Sequence, residues 1–295
     1  MADRGIEAVR AHLAKLPPPG SLSVAEMRAQ YERAEKAFPT PAEVKVEHVS
    51  APTAPAEWLR PPSASPGRVV LYLHGGGYVI GSPRSHRHLA AAIAAAAGAS
   101  ALLLDYRLAP EHPYPAAVED ATGAYRWLLG QGIAPERIVI AGDSAGGGLT
   151  VAALLALREA RVPLPAGGVC ISPWVDLTCG GDSYASKAAV DPIVRRAGVE
   201  EMAQAYLGST PATRPLASPL FADLRGLPPL LIHVGGDEVL LDDSRRLADR
   251  ARAAGVETTL EVYERMIHVW HWFLPMLDEA QTAIDAIGRF IRGRA

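Results

Sequence analysis

The chain reads as an α/β protein: one mostly parallel sheet of about eight strands, helices on both faces, and a helical cap. Three observations predict this. Short, uninterrupted apolar runs alternate with longer helix-like segments along most of the chain. A run without polar interruption suits a strand buried on both faces, which is the condition of a parallel sheet sandwiched between helices. The rhythm breaks once, from about Asp176 to Ala217, where scattered Gly and Pro mark an insertion.

Taken in order, residues 1–40 hold two helical patterns, Arg4–Leu16 and Val24–Phe38. Leu16-Pro-Pro-Pro-Gly-Ser separates them, and no helix crosses that run. Ser23 with Glu26 makes a capping box for the second. Val44–Val49 alternates as a strand does, and Glu57–Arg60 reads as another. The apolar runs follow at Val69–Leu73, Ala101–Leu104, Ile138–Ala141, Gly168–Ile171, Leu230–Val234 and Thr258–Val262. Helical patterns lie near His86–Ala97, Ala117–Leu129, Ala145–Glu159, Leu241–Ala254 and Asp278–Ile291, with Gly198–Leu207 inside the insertion. The Ala-rich run Leu89–Ala97 ends at Gly98, a helix stop. The expected organisation is therefore cap helices in 1–40, and a main domain over 41–295 with a cap insertion near 176–217.

Composition excludes several classes. With 295 residues, 49 % hydrophobic and 21 % charged, the chain is long enough for one large α/β domain. Its net charge of −3 comes without any block of like charge, so neither nucleic acid nor an anionic membrane is an expected partner. No apolar stretch reaches a membrane-spanning length of about 18 residues. The N-terminus lacks the apolar core of a signal peptide, and a cytoplasmic location is expected. Of two cysteines, Cys170 lies in an apolar run and reads as a buried small hydrophobe. A Cys170–Cys179 disulfide is an open alternative, but two cysteines make no stapled scaffold.

The chemistry begins at Gly142-Asp-Ser-Ala-Gly146. The pentapeptide alone is a weak signal. Its setting strengthens it: a strand precedes it and a helix-like segment follows, the strand–turn–helix context of a nucleophile elbow. A plain Gly-rich turn with a capping serine is the alternative. His74-Gly-Gly-Gly-Tyr78, directly after a strand, supplies amides that can approach a developing oxyanion with no Cβ in the way. The N–H groups of Gly76, Gly77 and Ala145 are assigned to that hole. A phosphate loop would need Gly-Lys-Ser/Thr or Gly-x-Gly-x-x-Gly, and neither is present. His74 reads as an anchor of the loop. In the order that this elbow predicts, an acid and then a histidine follow the serine. Asp237, just past Leu230–Val234, is the candidate acid, with the adjacent Glu238 its rival; Asp242 and Asp243 read as helix-capping or solvent-facing. His268 is the candidate base. His271 is an alternative, and the two histidines at i, i+3 lack further ligands for zinc. His233 reads as a core residue, His86 and His88 as surface residues.

These motifs, with Asp105-Tyr-Arg-Leu-Ala-Pro-Glu111 and Ser172-Pro-Trp-Val-Asp176, give a chain that resembles the hormone-sensitive-lipase-like family of α/β-hydrolases, the bacterial type IV carboxylesterases. The resemblance runs from about Val69 past His268. It implies the α/β-hydrolase fold, with Ser144 as nucleophile, Asp237 as acid and His268 as base, and no metal or organic cofactor. It further implies a small-molecule ester as partner, Trp174 near the acyl pocket, Arg107 and Glu111 in buried pairs holding the oxyanion loop, and a homodimer through the C-terminal edge of the sheet. The acid segment here reads Asp-Glu-Val-Leu-Leu-Asp-Asp, where many members carry Asp-Pro-Leu, one residue, then Asp. Short acyl chains, of about two to six carbons, are the expected substrates of a pocket closed by so small a cap. An amide hydrolase or deacetylase would use the same residues, and a non-catalytic receptor on this fold would lack the base histidine.

Overall fold

The computed structural model describes residues 2–15 and 22–295. Every apolar run named above forms a strand: β1 (Lys45–Ser50), β2 (Pro55–Arg60), β3 (Val69–Leu73), β4 (Ser100–Leu104), β5 (Ile138–Asp143), β6 (Gly167–Ile171), β7 (Leu230–Gly235) and β8 (Thr258–Tyr263). They make one eight-stranded sheet in the order β1-β2-β4-β3-β5-β6-β7-β8. β1 pairs antiparallel with β2, and β2 antiparallel with β4; the other pairs are parallel.

Alternation of side chains across a strand divides the core in two. Leu71 and Leu73 of β3 face the layer built by α5 (Ala116–Gly130), α6 (Ala145–Glu159) and α9 (Leu241–Ala253), where Tyr125, Leu149 and Leu247 are buried. Val70 and Tyr72 face the opposite layer, α4 (Pro83–Ala97) and α10 (Asp278–Arg292), with Leu89, Ile93 and Ile287. Parallel strands so covered all present their carboxyl ends to one edge, where a site can form.

That edge is where the remaining elements dock. Helix α1 (Ala2–Leu13) buries Ile6 and Val9 with Met266, Ile267, Trp270 and Phe273. Helix α2 (Val24–Glu32) opens with the expected Ser23–Glu26 capping box. The insertion contributes α7 (Ser183–Ser186) and α8 (Arg196–Leu207). The Pro-rich separator at 16–21, and the last residue of the first helical pattern, lie outside the described residues.

Some expectations are corrected. The pattern Val24–Phe38 is not one helix: it breaks at Arg33 into α2 and a single turn, α3 (Ala34–Ala37). Glu32 and Glu35 on either side of the break both pair with Arg84 of α4. His86 and His88 are buried, because α4 is covered by the sheet on one side and by Tyr31, Phe38 and Trp272 on the other. Arg107 does pair with buried Asp120, but Glu111 is half-exposed and binds Arg28 of α2. Arg28 also donates to the carbonyls of Val79 and Ala109, so this pair ties a cap helix to the loop after Gly77. Asp243 does not face solvent; it is buried and accepts the amides of Val175 and Asp176. Asp242 accepts that of Ser183, so both aspartates hold the insertion. Both cysteines are free and buried.

Candidate active site

Ser144 stands between β5 and α6 with φ 53° and ψ −120°, a strained conformation for a residue with a side chain. The strain is enforced from three sides. Its N–H donates to Ile171 O at 2.8 Å, its carbonyl accepts the Trp174 amide at 2.9 Å, and that same carbonyl accepts Gly148 N–H at 3.1 Å. A Cβ at Gly146 would strike the carbonyls of Leu73 and His74, and one at Gly142 would strike Gly146 itself. Only glycine permits strand and helix to approach so closely. Ser144 is the one partly accessible residue in a buried stretch running from Ile138 to Leu155.

The oxyanion loop leaves β3 alongside. Gly76 and Gly77 have φ of 116° and 61°, and Tyr78 follows at 62°. Among the described residues the N–H groups of Gly76 and Gly77 make no internal hydrogen bond. Ala145, the first residue of α6, offers one of the unpaired amides of a helix N-terminus. Beneath the loop, buried Asp143 accepts Gly75 N–H at 3.1 Å and Tyr72 O–H at 2.8 Å, with His86 Nε2 at 3.5 Å. Burial would raise the Asp143 carboxyl, but His86, Tyr72 and His74 together hold it below the ordinary aspartate value. His74 anchors the loop as expected: its Nδ1 meets Gly75 O at 2.8 Å and its ring stacks on Tyr106.

After β7 and β8, the partner of His268 differs from expectation. His268 Nδ1 lies 2.5 Å from Glu238 Oε2, not against Asp237. Glu238 is fully buried; its other oxygen accepts Ser172 O–H at 2.8 Å and Gly235 N–H at 2.6 Å. An ionised carboxylate only accepts, so Nδ1 carries the proton and Nε2 is left as the basic nitrogen. Burial would push His268 down, yet the charge and hydrogen bond of Glu238, with Asp191 and Asp143 behind, raise it above the ordinary histidine value. The Asp237 side chain turns the other way, to Arg10 at 2.8 Å and Lys187 at 3.7 Å. The sequence did carry the signal: Glu238-Val-Leu-Leu-Asp242 keeps the spacing Asp-Pro-Leu-x-Asp, with Glu in the first place. The presence of an aspartate one residue earlier concealed it.

Two further residues escaped the sequence reading. Ser172, at φ 45°, donates to Glu238 and accepts Val269 N–H at 3.1 Å, joining Glu238 to the loop of His268. Asp191 of the insertion accepts Val239 N–H at 2.9 Å, just beyond the acid. Both are short polar residues in loops, where sequence pattern is silent. Trp174, placed near the acyl pocket from sequence, is only 1 % exposed; its amide binds Ser144 O and its ring lies against Tyr78, with centroids 6.2 Å apart. His271 does not join the site; it is buried against His233 at 3.1 Å. Among the described residues no cluster of three or more His, Cys, Asp or Glu is arranged for a metal, and no helix is long and apolar enough to cross a membrane.

Comparison with known proteins agrees with this fold. A sequence model of the α/β hydrolase fold matches residues 70–272. An acetyl-hydrolase of Streptomyces hygroscopicus is 52 % identical over 265 residues, covering 90 % of this chain and 88 % of its own. The crystal structure of an esterase from the bacterial hormone-sensitive lipase family superposes with a TM-score of 0.94 at 50 % identity, covering 99 % of this chain and 97 % of that one. That of EstE5, soaked by p-nitrophenyl butyrate, gives 0.95 at 50 % identity, with 98 % of each chain covered.

Proposed function

Because this chain belongs to the hormone-sensitive-lipase group of α/β-hydrolases, and is with them a carboxylic-ester hydrolase, we propose that it cleaves short-chain acyl esters through Ser144, His268 and Glu238. The observation that carries the reading is the buried Glu238–His268 pair, which presents Nε2 as the base. His268 takes the Ser144 proton as Oγ attacks the ester carbonyl. The N–H groups of Gly76, Gly77 and Ala145 receive the oxyanion. The protonated imidazole then gives its proton to the leaving alcohol, and water repeats the sequence on the acyl-enzyme. Glu238 keeps the tautomer and stabilises the imidazolium.

The substrate class follows from what roofs the oxyanion loop. The described part of residues 1–40 and the insertion near 176–217 act as the cap. Met202 of α8 packs so tightly on Gly77 that a Cβ there would collide with its sulfur. Tyr206, from the same helix, stacks on Tyr78 at 3.9 Å. A roof so close to the loop favours a small acyl group over a long one, and the acetyl-hydrolase name of one relative points the same way. Each buried methylene gains about 0.8 kcal/mol until space runs out. The test is a series of nitrophenyl esters of rising acyl length, with Ser144→Ala as control. Turnover should peak at about two to six carbons and vanish in the variant. Fastest turnover on long-chain emulsions, or an active Ser144→Ala protein, overturns the reading.

A further inference from the structure

The loop that carries the acid and the loop that carries the base are tied together along their length. Gly236 N–H donates to Tyr263 O at 2.8 Å and Asp237 N–H to Met266 O at 2.9 Å. A side chain at Gly235 would collide with the Met266 carbonyl. Two loops this close move as a unit, so whatever holds one holds both.

One cation outside the reacting set touches this unit from the N-terminal helix. Arg10, on the same turn of α1 as buried Val9, donates through Nη2 to Asp237 Oδ2 at 2.8 Å and to Arg265 O at 3.4 Å. Its Nη1 donates to Val190 O at 2.8 Å. A single guanidinium thus spans the acid loop, the base loop and the insertion. Its planar fork suits this task, which a point charge cannot match. Next to Val190, Asp191 closes the same joint from the insertion side through Val239 N–H.

We propose that Arg10 is a positioning residue: by joining Asp237, Arg265 and Val190 it makes the docking of the N-terminal helix set the geometry of the Glu238–His268 pair. The proposal rests on the reading of Ser144, Glu238 and His268 as the reacting set, and it gives Asp237 a role distinct from that of the acid. Around Asp237 the charged partners are Arg10 of α1 and Lys187 of the insertion. Around His268 they are Glu238, Asp191 and Asp143. Loss of Arg10 therefore leaves a negative charge at Asp237 less compensated, beside a set already acidic.

The experiment compares steady-state rates and pH profiles on nitrophenyl butyrate for the full-length wild type, Arg10→Met, Arg10→Lys, Asp237→Asn and the Arg10→Met/Asp237→Asn double variant, well below each melting temperature. Arg10→Met should lower kcat roughly ten-fold with KM within about two-fold, the split of a misplaced catalytic pair. The acidic limb of kcat/KM should move up by roughly half a pH unit, as an uncompensated carboxylate favours the charged imidazole. Arg10→Lys should restore the limb but only part of kcat, and the double variant should restore the limb alone. A kcat and a limb both unchanged in Arg10→Met, or a rise confined to KM, overturns the proposal. If Arg10→Met does not fold, Asp237→Asn carries the test alone: it should lower kcat, and a wild-type kcat overturns the proposal. An inactive Ser144→Ala beside a wild-type-like Arg10→Met refutes the positioning role only; an active Ser144→Ala refutes the reacting set.

Discussion

Glutamine in place of Glu238 would keep the side-chain length while removing the charge and allowing an N–H to face Nδ1. The imidazole would then be favoured in the tautomer whose Nε2 already holds a proton, useless to Ser144. Glu238→Gln should accordingly cost about a thousand- to ten-thousand-fold in kcat. Asp237→Asn, at a side chain that among the described residues pairs with Arg10 and Lys187, should cost far less. Steady-state kinetics on one short ester decides between them; a greater loss in Asp237→Asn would return the acid to Asp237. The same pair governs pH. Since Glu238, with Asp191 and Asp143 behind it, outweighs burial and raises His268, the acidic limb of kcat/KM should lie above about 6.5, the ordinary histidine value. A limb well below that value would mean that the His268–Glu238 hydrogen bond does not persist in solution.

At the scale of elements, the elbow is the tightest junction in the molecule. A methyl at Gly146 has no flexible neighbour to displace, only the backbone carbonyls of Leu73 and His74. Gly146→Ala should force α6 off β3 and cost about 3 kcal/mol or more in stability, visible as a lowered urea midpoint. A variant as stable as wild type would show that the strand end can yield. Sequence foretold this junction well, because steric exclusion leaves its mark on the residues themselves. The strands were equally legible: β3, β5, β6 and β7 are buried throughout, and burial on both faces writes a continuous apolar run. Less legible was anything decided by what packs from outside. His86 and His88 look like surface residues on an Ala-rich helix until Tyr31, Phe38 and Trp272 arrive from distant segments. Arg10 gave no sign either, since a lone arginine on an amphipathic helix is ordinarily solvated.

For the whole molecule, the buried histidines set how stability responds to acid. Burial pushes His74 to about 3, His88 and His233 to about 4, and His271 well below its ordinary value. In the unfolded chain each takes a proton near 6.5, so stability present above that pH is lost as pH falls toward the folded values. Asp105 and Asp243 act oppositely, because burial raises them to about 6 and about 8 and the folded chain takes those protons first. Four depressed imidazoles against two raised carboxyls leave a net loss of stability as pH falls from 6 to 4. His268 contributes in the other direction, its stabilisation complete below about 6.5 and lost as pH rises through its raised folded value. Melting temperature should therefore peak near neutrality and drop steeply below pH 6 in a scan across pH 4–8; a flat profile would contradict the burial of these imidazoles. A last consequence comes from where His268 hangs. Ser144, the proposed nucleophile, follows β5 in the interior of the sheet, whereas the loop of His268, the proposed base, leaves β8, an edge strand paired with β7 and half-covered along most of its length. Edges fray at lower free energy than centres. Warming should therefore detach His268 while Ser144 is still in place, and amides of β8 should exchange with deuterium before those of β5. Reversible loss of turnover a few degrees below the melting of the sheet is the expected signature, and exact coincidence of the two would show that the edge is held as firmly as the centre.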